Sequence, residues 1–312
     1  MAINKAMLAA LKTLSSPDID IKKAYKLQRK VIDITAKRFQ LLPFHRQDLQ
    51  IPVGDHFVPI RAFFPTQEQE LRPPVILFLH GGGWVTGNVN SYDRVCGTLS
   101  RTFHRVVLSV DYRLAPEYRF PAGLEDCYAV ARSLLLQGIP FSVQPDELIL
   151  MGDSAGGNLA AAVSQMARDR GEFAIRQQIL LYPATGNDHT KTSPFPSVIE
   201  NGTDYLLTSR RICDYMELYV SSPEDYQNPY FAPLLAKDLS NQPRTLIVTA
   251  EFDPLRDEGE AYGKKLAEAG NSVQIERIPD ALHGFFSLTN RFEPVRRCND
   301  ILTEFLKEGT SL

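Results

Sequence analysis

Gly152-Asp153-Ser154-Ala155-Gly156-Gly157 sets a serine midway between two glycines, Gly152 and Gly156. An apolar run, Leu148-Ile149-Leu150-Met151, leads into it, and a helical stretch follows from Asn158. A serine hydroxyl becomes a useful nucleophile only when a base and a fixed geometry activate it. In a strand–turn–helix setting, G-x-S-x-G holds the serine on a strained turn, and small neighbours let strand and helix approach without a Cβ clash. The helix N-terminus favours negative charge developing beside it. Alone, the pattern arises by accident in about one chain in ten of this size, so its setting decides its meaning.

The second stretch is His80-Gly81-Gly82-Gly83-Trp84, directly after the apolar run Val75–Leu79. Three consecutive glycines let the backbone turn its N–H groups inward as an anion-binding concavity. Acyl transfer needs such donors, aimed at the oxyanion that forms during attack. No Gly-Lys-Ser/Thr follows, which argues against a phosphate cradle. His80 is expected to hold the loop by hydrogen bonding. Trp84, the only tryptophan, reads as a core aromatic under the loop or as a wall of the substrate pocket. Gly81, Gly152, Asp153 and Gly156 join them as structural support for the site.

A serine needs a base, and the base needs an acid to orient it. Of the six histidines, His45 precedes a hairpin and His56 lies at its tip. His104 ends a helix, and His189 sits in a long connection. His283 follows the last strand and precedes Gly284-Phe285-Phe286, at the same sheet edge as Ser154, and is the expected base. The acid should follow the preceding strand, within Glu251-Phe252-Asp253-Pro254-Leu255-Arg256-Asp257. Asp253 is preferred, because Pro254 fixes the backbone just after it. Asp257 competes but reads better as a helix cap; Glu251 is a weaker rival, and Asp280 lies close in sequence to His283. The order Ser…Asp…His is that of α/β folds carrying G-x-S-x-G.

These residues need elements to position them. Residues 1 to about 43 read as helical, with Leu8, Leu11 and Leu14 at helical spacing, Val31, Ile34 and Phe39 extending an apolar face, and Asp18 as a candidate cap. Alternation at Leu49, Ile51 and Val53, the Gly54-Asp55 turn, and renewed apolar residues from Phe57 to Phe64 predict a hairpin. Strands are then predicted at Val75–Leu79, Val106–Val110, Leu148–Met151, Ile179–Tyr182, Thr245–Thr249 and Val273–Ile278. Helices are predicted at Ser91–Phe103, Leu124–Gln137, Asn158–Arg170, Glu258–Ala269 and Val295–Lys307. This alternation predicts an α/β fold with a mostly parallel, doubly wound sheet. About sixty residues between Tyr182 and Arg244 break the rhythm and carry many aromatics; they read as a cap over the carboxyl edge of the sheet, where ligands of such sheets bind. The division is a cap segment at 1–45, a catalytic domain at 46–184 and 226–312, and an inserted cap segment at 185–225.

The motifs resemble the hormone-sensitive-lipase-like branch of the α/β hydrolases, the bacterial esterases marked by His-Gly-Gly-Gly. His80–Trp84, Asp111–Glu117, Gly152–Gly157, Asp253–Asp257 and His283–Phe285 carry the resemblance. It implies an α/β-hydrolase fold with a helical cap and an oxyanion hole made by the N–H groups of Gly82, Gly83 and Ala155. It also implies a serine carboxylesterase acting on small-molecule esters of short to medium acyl chain. An amidase, thioesterase or peptidase would share the triad. A non-catalytic receptor on this fold would lack the histidine that His283 supplies. Asp111–Glu117 reads as a hydrogen-bonded structural turn.

The 312 residues are 44% apolar and 23% charged with net charge −3, which fits a globular chain rather than a disordered one. No run of five like charges suggests nucleic acid or a polybasic membrane anchor. Cys96, Cys127, Cys213 and Cys298 are widely spaced, without a C-x-x-C pair to suggest zinc or redox chemistry. No metal or cofactor is expected. The first apolar run is too short for a signal peptide, and no apolar stretch reaches about 18 residues. A cytoplasmic protein without stable membrane association is expected, and a homodimer is left open.

Overall fold

Apolar runs bounded by turn residues become the strands of one sheet. The computed structural model describes residues 20–37, 42–65, 74–140 and 142–308. An antiparallel hairpin, β1 (His45–Val53) and β2 (His56–Phe64), leads into β3 (Val75–Leu79), β4 (Val106–Val110), β5 (Leu148–Asp153), β6 (Gln177–Leu181), β7 (Arg244–Phe252) and β8 (Val273–Leu282). They form one eight-stranded sheet in the order β1-β2-β4-β3-β5-β6-β7-β8. The β1–β2 and β2–β4 pairings are antiparallel, and every pairing from β4 to β8 is parallel. Every residue of β3, β4, β5 and β6 is buried, as expected of strands covered on both faces.

The α-helices of the described residues are α1 (Ile21–Ala36), α2 (Asp93–Phe103), α3 (Ala122–Arg132), α4 (Ala155–Arg170), α5 (Pro196–Glu200), α6 (Ser209–Tyr219), α7 (Arg256–Glu268) and α8 (Glu293–Glu308). On one face, Leu124 of α3, Leu159 and Val163 of α4, and Tyr262 and Leu266 of α7 pack into one core. On the other, Val95 and Leu99 of α2 meet Val295, Leu302 and Phe305 of α8. The chain runs from β3 to its neighbour on one side, β4, then crosses to β5 on the other. The crevice for a ligand therefore opens at the carboxyl ends of β3 and β5.

The N-terminal region departs from the pattern read in the sequence. Leu8, Leu11, Leu14, Asp18 and Phe39 lie outside the described residues. The helix over Ala24 and Leu27 is capped by Asp20, whose side chain accepts from the Lys23 N–H. Val31 and Ile34 are 52% and 66% exposed, so the expected apolar face points outward. Helix α1 docks instead through Ile21, which is buried in the core, and through polar side chains. Lys22 Nζ lies 2.7 Å from Glu217, and Gln28 Nε2 donates to Tyr215 Oη at 2.9 Å, both on α6. The connection from Tyr182 to Arg244 holds α5 and α6 and no sheet strand.

Helix α4 can follow β5 this closely only because of a glycine. A Cβ on Gly156 would fall 1.9 Å from the Leu79 carbonyl oxygen and 2.7 Å from that of His80. At Gly171, which ends α4 with φ +65°, a Cβ would meet nothing within 4 Å. Gly156→Ala is therefore expected to destabilise by about 3 kcal/mol or more through overpacking. Gly171→Ala should cost only about 1 kcal/mol, for the left-handed backbone. Denaturant midpoints compare the two; equal losses would show that the Leu79 contact yields easily.

Candidate active site

Ser154 occupies the turn between β5 and α4 with φ +55° and ψ −120°, a region costly for any side chain with a Cβ. Neighbouring hydrogen bonds hold it there. Its N–H donates to the Leu181 carbonyl at 2.8 Å, and its own carbonyl accepts from Asn158 N–H at 3.0 Å. A Cβ on Gly152 would lie 2.2 Å from the Gly156 carbonyl oxygen. Steric contact on both sides of the serine accounts for the glycine spacing.

Strands β7 and β8 bring Asp253 and His283 together by register. Phe252 pairs with Leu282, so Asp253 and His283 are the next residues on adjacent strands. His283 Nδ1 lies 2.7 Å from Asp253 Oδ2, and Nε2 lies 2.8 Å from Ser154 Oγ. Asp253 is fully buried, and its Oδ1 accepts from the Leu255 N–H at 2.9 Å. The Tyr182 ring packs edge-on against the imidazole at 5.0 Å.

The glycine loop sits beside Ser154. Gly82 and Gly83 have φ of +121° and +61°. A Cβ on Gly82 would strike the Thr86 carbonyl oxygen at 2.1 Å, and one on Gly83 the Tyr215 ring at 2.5 Å. Neither position admits a side chain. Gly81 N–H donates to Asp153 Oδ1 at 2.8 Å, and Tyr92 Oη donates to Oδ2 at 2.9 Å. His80 is buried, with Nδ1 2.8 Å from the Gly81 carbonyl and its ring stacked on Tyr112 at 4.3 Å; burial holds its imidazole below the ordinary value. A cavity of about 210 Å³ opens over Ser154, His283, Gly82, Gly83 and Ala155. Its outer walls are Gln28 of α1, Leu207, Ile212 and Tyr215 of the insertion, and Leu255.

A family model described as alpha/beta hydrolase fold matches residues 76–287. An arylesterase of Saccharolobus solfataricus is 34% identical over 262 residues, covering 83% of this chain and 83% of that one. An ethyl acetate hydrolase of Pseudomonas putida is 36% identical over 249 residues, covering 79% of this chain and 77% of that one. A solved structure of a hyperthermophilic esterase from the archaeon Pyrobaculum calidifontis matches with TM-score 0.87 at 35% identity, covering 99% of both chains. The chain belongs to the hormone-sensitive-lipase-like family of alpha/beta hydrolases. It is a carboxylic ester hydrolase.

Within this hydrolase the rival side chains are engaged elsewhere. Glu251 accepts from the Asp280 N–H at 2.7 Å. Asp257 does not cap α7, whose N-cap residue is Leu255. Its carboxylate accepts from Ser197 N–H at 2.7 Å and ties α5 of the insertion to α7, so the expected cap is corrected to a bridge between segments. His189 pairs with Glu258 at 2.7 Å, both buried, and His56 lies 2.9 Å from Asp126. Trp84 meets both of its readings: it is buried, stacks on Tyr219 at 4.6 Å and lines the cavity. The sequence reading missed Tyr92, Asn158 and Gln28, which reach the site from elements far apart in the chain, whereas Tyr215 is one of the aromatics of the long connection. Among the described residues, no group of three His, Cys, Asp or Glu side chains could hold a metal ion.

Burial pushes the Asp153 carboxyl up to about 6, opposed by the Tyr92 and Gly81 hydrogen bonds and by the nearby His283. The folded protein thus holds this proton more tightly than the unfolded chain. The stability Asp153 contributes is complete below its ordinary value of 3.8 and is lost as pH rises through about 6. Relative to Asp153→Asn, the wild type should lose about 2 kcal/mol between pH 4 and 7. Denaturant unfolding of both proteins across that range checks it; parallel pH profiles would mean that Asp153 does not titrate there.

Proposed function

We propose that this hydrolase cleaves carboxylic esters of short to medium acyl chain through a covalent acyl-enzyme on Ser154. The reading is carried by the Asp253–His283–Ser154 chain of contacts, 2.7 Å and 2.8 Å long. An ionised Asp253 only accepts hydrogen bonds, so His283 carries its proton on Nδ1 and presents a bare Nε2 to the serine. As Ser154 Oγ bonds to the ester carbonyl carbon, its proton passes to Nε2, and Asp253 stabilises the imidazolium. The carbonyl oxygen takes up the negative charge. The N–H groups of Gly82, Gly83 and Ala155 receive it, with the N-terminal end of α4 adding to the field. His283 then protonates the departing alkoxide as the C–O bond breaks. A water, deprotonated by His283, attacks the acyl-enzyme; the acid leaves and Ser154 regains its proton.

The cavity supports the substrate class. Pockets that engulf drug-sized ligands span about 300–1,000 Å³, and about 210 Å³ lies below that range. Leu207, Ile212 and Leu255 give it an apolar wall. The relative named for ethyl acetate fits a small acyl group. In this reading α1 and the insertion at 185–225 form the cap, since both contribute to the outer wall.

Ser154→Ala is expected to lower kcat by about 10⁶ with folding intact. Asp253→Asn should cost about 10⁴, because the imidazole takes the wrong tautomer, whereas Asp257→Asn should leave kcat near wild type. A phosphonate inhibitor should label Ser154 alone by mass spectrometry. An active Ser154→Ala, or an adduct on another residue, would overturn the assignment. Activity on anilides or thioesters exceeding that on a matched ester series would replace the ester reading with amide or thioester hydrolysis.

A further inference from the structure

The glycine loop is an expensive piece of backbone. Gly82, Gly83, Trp84 and Gly87 all have positive φ, and for Trp84 the value is +58°. A bulky residue stays in that region only where its surroundings insist on it. Part of the restraint is local: Thr86 N–H donates to the Gly82 carbonyl at 2.9 Å, and Ala115 N–H to the Trp84 carbonyl at 2.9 Å. Part comes from the Trp84 side chain, which donates to Asn158 Oδ1 at 3.3 Å and stacks on Tyr219, and part from helix α1. Arg29 Nε donates to the Val85 carbonyl at 2.7 Å, and Nη2 donates to the Ala115 carbonyl at 2.7 Å. Val85 and Ala115 are fully buried, so without Arg29 two carbonyls next to the loop lose their donor.

The guanidinium is itself held in place. Nη1 and Nη2 meet the two Glu117 carboxylate oxygens at 3.1 Å and 2.9 Å, a bidentate pair that a lysine cannot reproduce. The Tyr25 ring lies 5.0 Å from it. The same helix reaches the loop by two further routes. Asn88 Nδ2 donates to Asp33 Oδ1 at 2.8 Å. Gln28 holds Tyr215 Oη at 2.9 Å, and the Tyr215 ring covers Gly83.

We infer that Arg29 is a positioning residue for the reaction, aligning the Gly82–Gly83 N–H groups from a helix that holds none of the reacting groups. This rests on the reading of those N–H groups as the oxyanion donors. Arg29 then acts on the transition state and not on the docked ester. It also gives Glu117 of the Asp111–Glu117 turn a task, that of anchoring the guanidinium.

The test compares Arg29→Ala, Arg29→Lys and Glu117→Gln with Lys22→Ala, which breaks a contact of the same helix with Glu217 and touches nothing in the loop. Each is assayed on an ester series, with folding followed by circular dichroism. Affinity for a trifluoromethyl ketone is measured in parallel. Ser154 Oγ bonds to its carbonyl carbon, the proton moves to His283, and the charged oxygen falls to the loop N–H groups. Arg29→Ala should lose about 10²-fold in kcat, the cost of a displacement of about 1 Å remote from the chemistry. KM and chain-length preference should stay put, and the ketone should bind weaker by a similar factor. Guanidinium chloride at sub-denaturing concentration should restore part of the rate. Arg29→Lys should resemble Arg29→Ala, Glu117→Gln should lose less, and Lys22→Ala should match the wild type. Wild-type kcat and ketone affinity in folded Arg29→Ala would overturn the inference, as would a change confined to KM or chain-length preference. Should Arg29→Ala fail to fold, wild-type kcat in both Arg29→Lys and Glu117→Gln would overturn it. A loss in Lys22→Ala equal to that in Arg29→Ala would do the same. A wild type that forms no covalent ketone adduct overturns the underlying reading of Ser154 as well, which separates the two failures.

Discussion

The contact on which the site depends is the passage of Gly156 across the end of β3. Strands β3 and β5 are parallel neighbours, with Leu79 opposite Gly152. Pairing alone therefore delivers the glycine loop and the serine turn to the same edge. The first turn of α4 then crosses the Leu79 carbonyl so closely that no Cβ fits. That approach forces Ser154 to turn sharply, at φ +55°, and sets Ala155 beside Gly82 and Gly83 around one cavity. The driving force is ordinary burial: β3 and β5 expose no residue to water. Apolar strand burial, acting through one steric restriction, thus fixes the relation between a hydroxyl and the backbone groups beside it.

The meeting of Asp253 and His283 follows from the same logic on the next strands. Beyond the Phe252–Leu282 pair, the chain leaves β7 and β8 at neighbouring points, so Asp253 and His283 cannot avoid each other. What remains is to span β6, which separates them from Ser154. Tyr182, the residue after β6, helps to do this. Its N–H donates to the Val248 carbonyl at 2.6 Å, while its ring supports the imidazole and packs on Phe285 at 5.4 Å.

These relations explain what could be read in the sequence. Continuous apolar runs mark parallel strands, and a motif at the end of a strand is at the sheet edge by construction. Ser154, Asp253, His283 and the glycine loop were legible for that reason. The docking of α1 was not. Its apolar residues Val31 and Ile34 suggested the buried face, yet Ile21 enters the core, and polar Gln28, Arg29 and Asp33 make further contacts with partners 187, 88 and 55 positions away. Hydrogen bonds between remote side chains leave no periodic trace. Tyr92 and Asp257 were hidden likewise: one spans to Asp153 and the other to Ser197, and neither partner is marked by spacing. Where helical propensity and a capping rule were the only guides, they named Asp257 as a cap, whereas Leu255 holds that position.

Magnitudes assign separate tasks to the two halves of the cavity. Each methylene buried against Leu207, Ile212 or Leu255 contributes about 0.8 kcal/mol, so a short acyl chain brings only a few kcal/mol. Enzymes of this kind lower barriers by about 8 kcal/mol at the least. Apolar contact is present in the docked ester and the transition state alike, and it therefore raises affinity more than rate. In the proposed mechanism the larger share comes from groups that respond to charge: the imidazole, its buried carboxylate and the backbone donors. All of these belong to the sheet edge, where register and sterics hold them in place before substrate arrives. The walls that meet the apolar chain are Leu207 and Ile212 of the connection from Tyr182 to Arg244 and Leu255 at the start of α7. If the proposed role of Arg29 holds, substitutions at Ile212 should change affinity more than rate, whereas loss of the polar bonds from α1 to the glycine loop should change rate, because through them a helix remote from Ser154 joins the half that responds to charge.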